Sequence, residues 1–158
     1  MNLEIREADL NHSAEAAALV DIIDSYARGP GGQEAPLTDE ARARLVPGLL
    51  AHPTAFVLLA LADGRPVGTA VCFWGFSTFA GRPIVNVHDL AVLSTHRGQG
   101  IGRALLDEVE RRARERQSCK VTLEVHSTNH GAKRLYERTG FGPWETPTIF
   151  VTKPLGLS

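Results

Sequence analysis

One stretch near the middle of the chain changes from a strand pattern to a turn and then to a helix pattern. Residues 84–93 (IVNVHDLAVL) are mostly apolar and rich in β-branched side chains, which predicts a buried strand. Residues 97–102 (RGQGIG) then form a polar, glycine-rich turn. From Ile101 the apolar residues recur every fourth position, at Leu105 and Val109, which predicts a helix with one buried face. The rest of the fold must accommodate this strand–turn–helix unit.

The turn has the properties of a phosphate-binding site. The first N–H groups of a helix have no partner within the helix, and the helix dipole makes that end positive. Gly98, Gly100 and Gly102 allow the main chain to approach an anion, and Arg97 supplies a planar cation that suits phosphate oxygens. The alternative is an ordinary tight turn, but three glycines behind an arginine favour phosphate.

The spacing of the glycines restricts the kind of phosphate ligand. The dinucleotide pattern GxGxxG fails because Arg103 stands where its last glycine is required, and no GxxxxGK[ST] pattern is present. The pattern RxxGxG does fit, on Arg97, Gly100 and Gly102, after an apolar strand that ends in Leu90-Ala91-Val92. This segment closely resembles the acetyl-CoA-binding signature of the GNAT superfamily of N-acetyltransferases.

A second segment carries the same resemblance. Residues 129–141 (NHGAKRLYERTGF) match the GNAT pattern NxxAxxLYxxxGF. The resemblance covers residues 55–141, which would be the cofactor-binding core. Residues 1–54 would be the variable substrate-side region of a single domain spanning residues 1–158.

The resemblance implies an α/β fold of the mixed α+β kind. We expect a mixed, mostly antiparallel sheet of six to seven strands, about four helices on its two faces, and a splayed central strand pair. The residue patterns predict strands over residues 3–6, 55–62, 67–79, 84–93, 120–125, 141–144 and 149–153, with a bulge or bend at Gly75. Asp63-Gly64 is typical of a primed two-residue hairpin turn, so residues 55–93 are predicted to form an antiparallel three-strand meander. Helices are predicted over residues 13–28, from Thr38, from Ile101 and from Asn129, which can cap the last one.

The resemblance also assigns cofactor-binding residues. The main chain of the strand would pair with the pantetheine arm, the N–H groups of the turn would hold the pyrophosphate, and the later helix would close the site. These residues are Leu90, Ala91, Val92, Arg97, Gly98, Gln99, Gly100, Ile101, Gly102, Arg103, Asn129, Ala132 and Tyr136.

Two proton transfers need side chains. Tyr136 occupies the position from which the family protonates the leaving thiolate, and a phenol of pKa about 10 suits that task. The base that accepts the proton of the amine is His88, Asp89 or Glu124, and we favour a water relay ending at His88 or Asp89. Successive strand residues face opposite ways, so His88 and Asp89 face one site only if a bulge intervenes.

Composition excludes several other classes of protein. The formal net charge is −1, which gives no basic field for nucleic acid or anionic lipid. The N-terminus is charged and resembles no leader peptide, so we expect a cytoplasmic protein without membrane contact. The six histidines lack metal-ligand spacing, and we expect no metal. Cys72 and Cys119 are expected to be reduced.

The sequence therefore predicts an enzyme that transfers acetyl from acetyl-CoA directly to a primary amine in a ternary complex. The expected acceptor is a small amine, with a protein N-terminus or lysine as the alternative. A non-catalytic acyl-CoA-binding module and another nucleotide enzyme remain open, and the resemblance implies a possible homodimer. Two further groups would line the acceptor site or serve as ordinary structural residues: Trp74, Phe76, Phe79 and Trp144, and the acidic Asp21, Asp24, Glu34, Asp39 and Glu40.

Overall fold

The computed structural model describes residues 1–146 and 148–157. Five strands form within them: β1 (Leu3–Glu7), β2 (Ala55–Ala62), β3 (Arg65–Ser77), β4 (Arg82–Val92) and β5 (Lys120–Leu123). The four α-helices are α1 (Ser13–Arg28), α2 (Asp39–Ala51), α3 (Ile101–Glu115) and α4 (His130–Arg138), and a short 3-10 helix covers Ser94–His96. No helix of the described residues combines the length and apolar character needed to cross a bilayer.

The strands form one sheet in the order of the sequence, β1 to β5. The pairs from β1 to β4 are antiparallel, which confirms the predicted meander over residues 55–93. Its first hairpin turns through Asp63 and Gly64, both at positive φ (49° and 79°), as the predicted primed turn requires. β5 lies parallel to β4 because α3 crosses over between them.

The expected sheet of six to seven strands is wrong in its count, since five form in the described residues. Residues 141–144 fold back locally: the indole N–H of Trp144 donates to the carbonyl of Phe141 at 2.8 Å, and Pro143 has no N–H to donate to a ladder. Residues 149–153 have a strand-like composition, yet Phe150 is 73% exposed. Strand propensity without a pairing partner does not make a strand.

The homodimer that the resemblance implies stays a prediction.

Apolar side chains cover both faces of the sheet. Val85 and Val87 of β4 pack with Leu105 on the side of α3 and α4, which we call the α3 face. Leu59 and Ala91 pack with Ile22 and other residues on the side of α1 and α2, which we call the α1 face. The alternation of strand side chains therefore decides which residues of β4 can meet α1.

A bulge in β4 changes that alternation. Val71 of β3 pairs with Asp89 and the next residue, Cys72, pairs with Val87, so His88 is an additional residue in β4. A bulge reverses the side-chain alternation beyond it. The bulge, one of the two features predicted at Gly75, is wrong, because Gly75 pairs in register with Ile84. Residues on the two sides of the bulge, such as Asn86 and Asp89, consequently share the α1 face.

The connection between α1 and α2 is held by one buried carboxylate. Asp24 is 8% exposed and accepts hydrogen bonds from the main-chain N–H of Leu37 and from Nε of Arg28, both at 2.8 Å. Hydrogen bonds from Arg28 and then Leu37 lower the pKa of Asp24 below its ordinary value. The acceptor-binding role considered for Asp24 is therefore replaced by a structural one.

Candidate active site

The site is organised by a gap between β4 and β5. The parallel pairing runs from Ile84↔Lys120 to Val87↔Leu123 and stops there, while β4 continues to Val92 paired only with β3. From His88 onward the outer edge of β4 thus borders an opening. Main-chain groups on such an edge can form hydrogen bonds with an extended ligand. Leu90, Ala91 and Val92 lie on this edge, where the resemblance places the pantetheine contact.

The glycine-rich turn lies at the end of β4. Gly98 and Gly100 have positive φ values of 73° and 82°, and a Cβ on either would meet no heavy atom of the described residues within 4 Å. Both positions are thus open space in a conformation that L side chains avoid. Gly100 caps α3, and no side chain of the described residues caps that helix start. The first N–H groups of α3 are therefore left for an anion.

The residues around the turn fix its position. Arg97 is exposed and its Nε donates to the carbonyl of Val92 at 3.2 Å, which holds the guanidinium between β4 and the turn. The side-chain amide of Gln99 donates to the carbonyl of Thr95 at 3.4 Å. Ile101 is 2% exposed and anchors the helix in the core, whereas Arg103 points to solvent.

A second helix completes the site from the side of β5. Asn129 caps α4, with its side-chain oxygen accepting from the N–H of Ala132 at 3.2 Å, as predicted. A Cβ on Gly102 would lie 3.0 Å from Leu135, so this glycine lets α3 and α4 pack closely. The two helix starts named by the two motifs consequently flank one opening.

Tyr136 lies buried on α4, with 8% of its surface exposed. Its ring packs edge-on against Phe141, with the ring centroids 5.7 Å apart. Burial, with a smaller effect of the neighbouring Tyr26, raises the pKa of Tyr136 to about 12. The phenol therefore holds its proton throughout the physiological range, as a proton donor must.

The structure adds Tyr26 of α1 to this group. Its hydroxyl donates to the carbonyl of Gly31 at 2.9 Å, and a Cβ on Gly31 would lie 3.1 Å from the side-chain nitrogen of Asn129. The α1–α2 connection thus reaches the start of α4 across the gap. Burial and then Asp89 raise the pKa of Tyr26, while Arg97 lowers it. No local pattern in the sequence predicts this position for Tyr26, because Tyr26 continues the apolar side of α1.

The three candidate bases lie where the gap begins. Asp89 shares the α1 face with Val71, its partner in register, and burial raises the pKa of its carboxyl while the charge of His88 lowers it. Glu124 is exposed, and the amide of Asn86 donates to its two carboxylate oxygens at 3.3 and 3.5 Å. His88 is the exposed bulge residue. The bulge thus meets the condition under which His88 and Asp89 can serve one site.

The two cysteines are unpaired thiols with different environments. Cys72 is buried in the core, and burial raises its pKa to about 12. Cys119 is exposed, directly before the start of β5, at the end of that strand remote from the gap. In residues 1–146 and 148–157, no three His, Cys, Asp or Glu side chains are grouped as a metal site.

Three of the four aromatic residues named from sequence either pack against other side chains of the chain or lie exposed on its surface. Trp74 stacks on Phe56 with centroids 5.0 Å apart, and the guanidinium of Arg116 lies 4.2 Å from its ring on the α3 face. Phe79 is fully exposed in the turn after β3. Trp144 lies under Lys133 of α4, 5.6 Å from the ammonium group. Trp74, Phe79 and Trp144 therefore fit the alternative considered from the sequence, in which they are ordinary structural or surface residues.

Comparison with known proteins identifies relatives of this chain. The sequence profile described as "Acetyltransferase (GNAT) family" matches residues 17–141. An uncharacterized N-acetyltransferase of Archaeoglobus fulgidus is 37% identical over 90 residues, or 56% of this chain and 60% of that protein. The alignments with two further curated relatives cover 35% and 26% of those proteins, so the chain matches only part of their length.

Solved structures share the fold. A ribosomal-protein-alanine N-acetyltransferase from Brucella melitensis biovar Abortus 2308 superposes with a TM-score of 0.74 at 23% identity, covering 96% of this chain and 100% of that one. An aminoglycoside acetyltransferase from an uncultured soil metagenomic sample superposes with a TM-score of 0.78 at 20% identity, covering 96% of each chain. At these identities the likeness establishes the fold alone.

Proposed function

The chain belongs to the GNAT acetyltransferase family, as its two motifs indicated, and we propose that it is an acetyl-CoA-dependent N-acetyltransferase that acts on a primary amine. One observation carries the proposal: the edge of β4 loses its partner after Val87, beside the three candidate bases, and stays free as far as Val92, after which the glycine-rich turn follows, while α4 with the buried Tyr136 flanks the same opening. Such an arrangement serves acetyl transfer better than simple binding, because binding needs no proton donor or acceptor.

The residues present fit acetyl-CoA. Gly98 and Gly100 leave open space at the start of α3, whose N–H groups suit the diphosphate, and Arg97 adds a cation beside them. The free edge of β4 suits the amide groups of the pantetheine arm. When bound, acetyl-CoA supplies an acetyl group activated as a thioester. The unpaired main-chain N–H groups of β4 at the gap would stabilise negative charge that develops on the acetyl oxygen.

Proton transfer is then shared between two sides of the gap. Tyr136 would supply the proton that the thiolate of CoA takes up when the acetyl group leaves it, since the phenol is protonated at neutral pH. The proton lost by the amine as its C–N bond forms goes, through water, to Asp89 or His88. The raised pKa of Asp89 makes this carboxylate a stronger base than an exposed one. Glu124, oriented by Asn86, is the alternative.

We propose direct transfer between cofactor and amine without an acyl-enzyme. A thiol must ionise to act as a nucleophile, and the core thiol of Cys72, with a pKa of about 12, stays protonated. Cys119 precedes the end of β5 that is remote from the gap. The side chains around the gap therefore support a ternary complex in which the amine meets the cofactor directly.

A small amine is the proposed acceptor. The contact between Gly31 and Asn129 narrows the α1 face of the gap, which favours a compact molecule over a protein chain. A protein N-terminus or lysine is the alternative, since one structural neighbour is a ribosomal-protein-alanine N-acetyltransferase. Assays with small amines and with peptides of free N-terminus will separate the two classes.

The test is a measurement of CoA release with acetyl-CoA and a panel of primary amines and peptides, beside calorimetry of CoA binding. We expect saturable release with at least one amine and an acetylated product detectable by mass spectrometry. CoA binding without turnover on any acceptor would instead assign a binding module. Binding of NAD or ATP but not CoA would refute the acetyltransferase proposal altogether.

A further inference from the structure

Three rings lie together on the α1 face beside the gap, and neither the cofactor nor the proton transfers require two of them. Phe73 of β3 lies between His52, with centroids 4.9 Å apart at 70°, and His88, with centroids 5.4 Å apart at 83°. Both imidazoles are exposed and Phe73 is half-buried. The hydroxyl of Thr54 lies 3.1 Å from Nδ1 of His52 and orients it. We call His52, Phe73 and His88 the ring cluster.

The ring cluster is next to the charged part of the site. His88 is the residue at which β4 leaves β5, and Phe73 is paired in register with Asn86, whose amide holds Glu124. Asp89 lies on the same face. Neighbouring strands are about 4.8 Å apart, so Phe73 lies roughly 5–10 Å from the gap, one to two strand spacings away. The α1 face therefore offers carboxylates at the gap and rings a short distance from it.

We propose that the ring cluster binds an aromatic ring of the acceptor, which makes the acceptor an arylalkylamine: a primary amine joined to an aromatic ring by a short aliphatic chain. This inference rests on the proposed acetyltransferase activity. Aromatic rings favour edge-to-face contacts with centroids about 4.5–7 Å apart, the geometry already present among these three side chains. The carboxylates of Asp89 and Glu124 attract the ammonium group of the incoming amine.

An aliphatic polyamine fits this face less well. Its second ammonium group would lie beside His52 and His88, which carry no negative charge, rather than beside a carboxylate. The imidazole nitrogens can instead form hydrogen bonds with a hydroxyl or N–H group on an aromatic ring. The placement of the rings, one to two strand spacings from the charged gap, matches the length of an arylalkylamine with a two- to three-carbon chain.

The experiment compares kcat/KM for 2-phenylethylamine and n-butylamine, with acetyl-CoA as donor, in the wild-type protein and in variants. Phe73→Leu removes the central ring and keeps an apolar side chain, and His52→Ala removes an exposed ring. Phe79→Leu is the control, since Phe79 is fully exposed in the turn after β3. We expect Phe73→Leu to lower the ratio of kcat/KM for the two amines by about three- to tenfold and His52→Ala to lower it less.

We compare the ratio of kcat/KM for the two amines between the wild-type protein and each variant. This comparison removes the effect of the different basicities of the amines and the effect of general damage to the fold. An unchanged ratio in Phe73→Leu and His52→Ala, or an equal loss on both amines, would show a structural role only and would overturn the inference while the acetyltransferase proposal stands. A wild-type protein that binds CoA but acetylates neither these amines nor any other would remove both. A lowered ratio of kcat/KM in the control variant Phe79→Leu would also contradict the inference that the ring cluster binds the acceptor.

Discussion

The proposed cofactor side and the proposed acceptor side of the gap are built in different ways. The proposed cofactor side consists of continuous segments, the end of β4 with the following turn and the start of α4, and would act largely through main-chain groups. The proposed acceptor side is assembled from side chains of α1, the α1–α2 connection, β3, the bulge in β4 and the residue after β5. A binding task performed by a local turn leaves a sequence motif, whereas one performed by side chains gathered across a sheet does not.

The largest expected effect tests Tyr136, to which we assign the protonation of the leaving thiolate. Tyr136→Phe keeps the ring that packs against Phe141 and removes the hydroxyl. We expect kcat to fall about 10²- to 10⁴-fold with little change in the KM of acetyl-CoA or amine, because the donor acts only as the C–S bond breaks. Steady-state kinetics will check this, with thermal melting to confirm the fold. A rise in KM at unchanged kcat would assign Tyr136 to binding.

The next effect concerns the base on the acceptor side. Asp89→Asn removes a proton acceptor at constant size, and we expect kcat/KM to fall about 10²-fold or more, since general-base catalysis contributes 10²- to 10⁴-fold. Glu124→Gln and His88→Gln are matched replacements at the other candidates. The variant whose pH profile loses its acidic limb carries the base, and retention of that limb in all three would exclude these residues.

The raised pKa of Asp89 also predicts the direction in which its replacement changes the stability of the protein. Its carboxyl has a raised pKa in the folded protein, so its contribution to stability is present below the pKa of the unfolded chain and is lost as pH rises through the folded pKa. Asp89→Asn should therefore raise the melting temperature at neutral pH, with the difference disappearing toward acidic pH. A melting temperature that falls equally at all pH values would show that the carboxylate is needed for folding.

The features that the sequence predicted correctly are local ones, and those it missed depend on residues far apart in the chain. The turn, the cap at Asn129 and the meander were predictable because each depends on neighbouring residues. Tyr26 was not, because its role depends on Gly31 meeting Asn129, nearly a hundred positions farther along the chain. The bulge at His88 was anticipated only as a condition, since it is defined by the register with β3. The final strands were wrong because composition specifies no pairing partner.

A smaller effect tests the cofactor side. Gly100→Ala forces a side chain into the left-handed conformation, which costs about 1–2 kcal/mol, so relief of the strain should move the turn and weaken CoA binding roughly fivefold to thirtyfold. The KM of the amine should stay unchanged. Gly48→Ala in α2 is the control, because Gly48 lies inside a helix without a positive φ, and a Cβ there also meets no described atom within 4 Å. Calorimetry of CoA binding will distinguish the two, and equal affinities would show that the turn does not contact the cofactor.

The smallest expected effect tests whether Tyr26 links the proposed acceptor side of the gap to the start of α4 on the proposed cofactor side. Tyr26→Phe removes the hydrogen bond to Gly31 but keeps the ring in its place, and one such bond contributes about 1 kcal/mol, or about fivefold in an equilibrium. Because that bond holds the α1–α2 connection against Asn129, we expect the KM of the amine to rise a few-fold at nearly constant kcat. Amide hydrogen exchange of residues 29–37 should increase in the same variant. If exchange increases while both KM values stay unchanged, the connection is a structural element and the acceptor side is limited to the sheet.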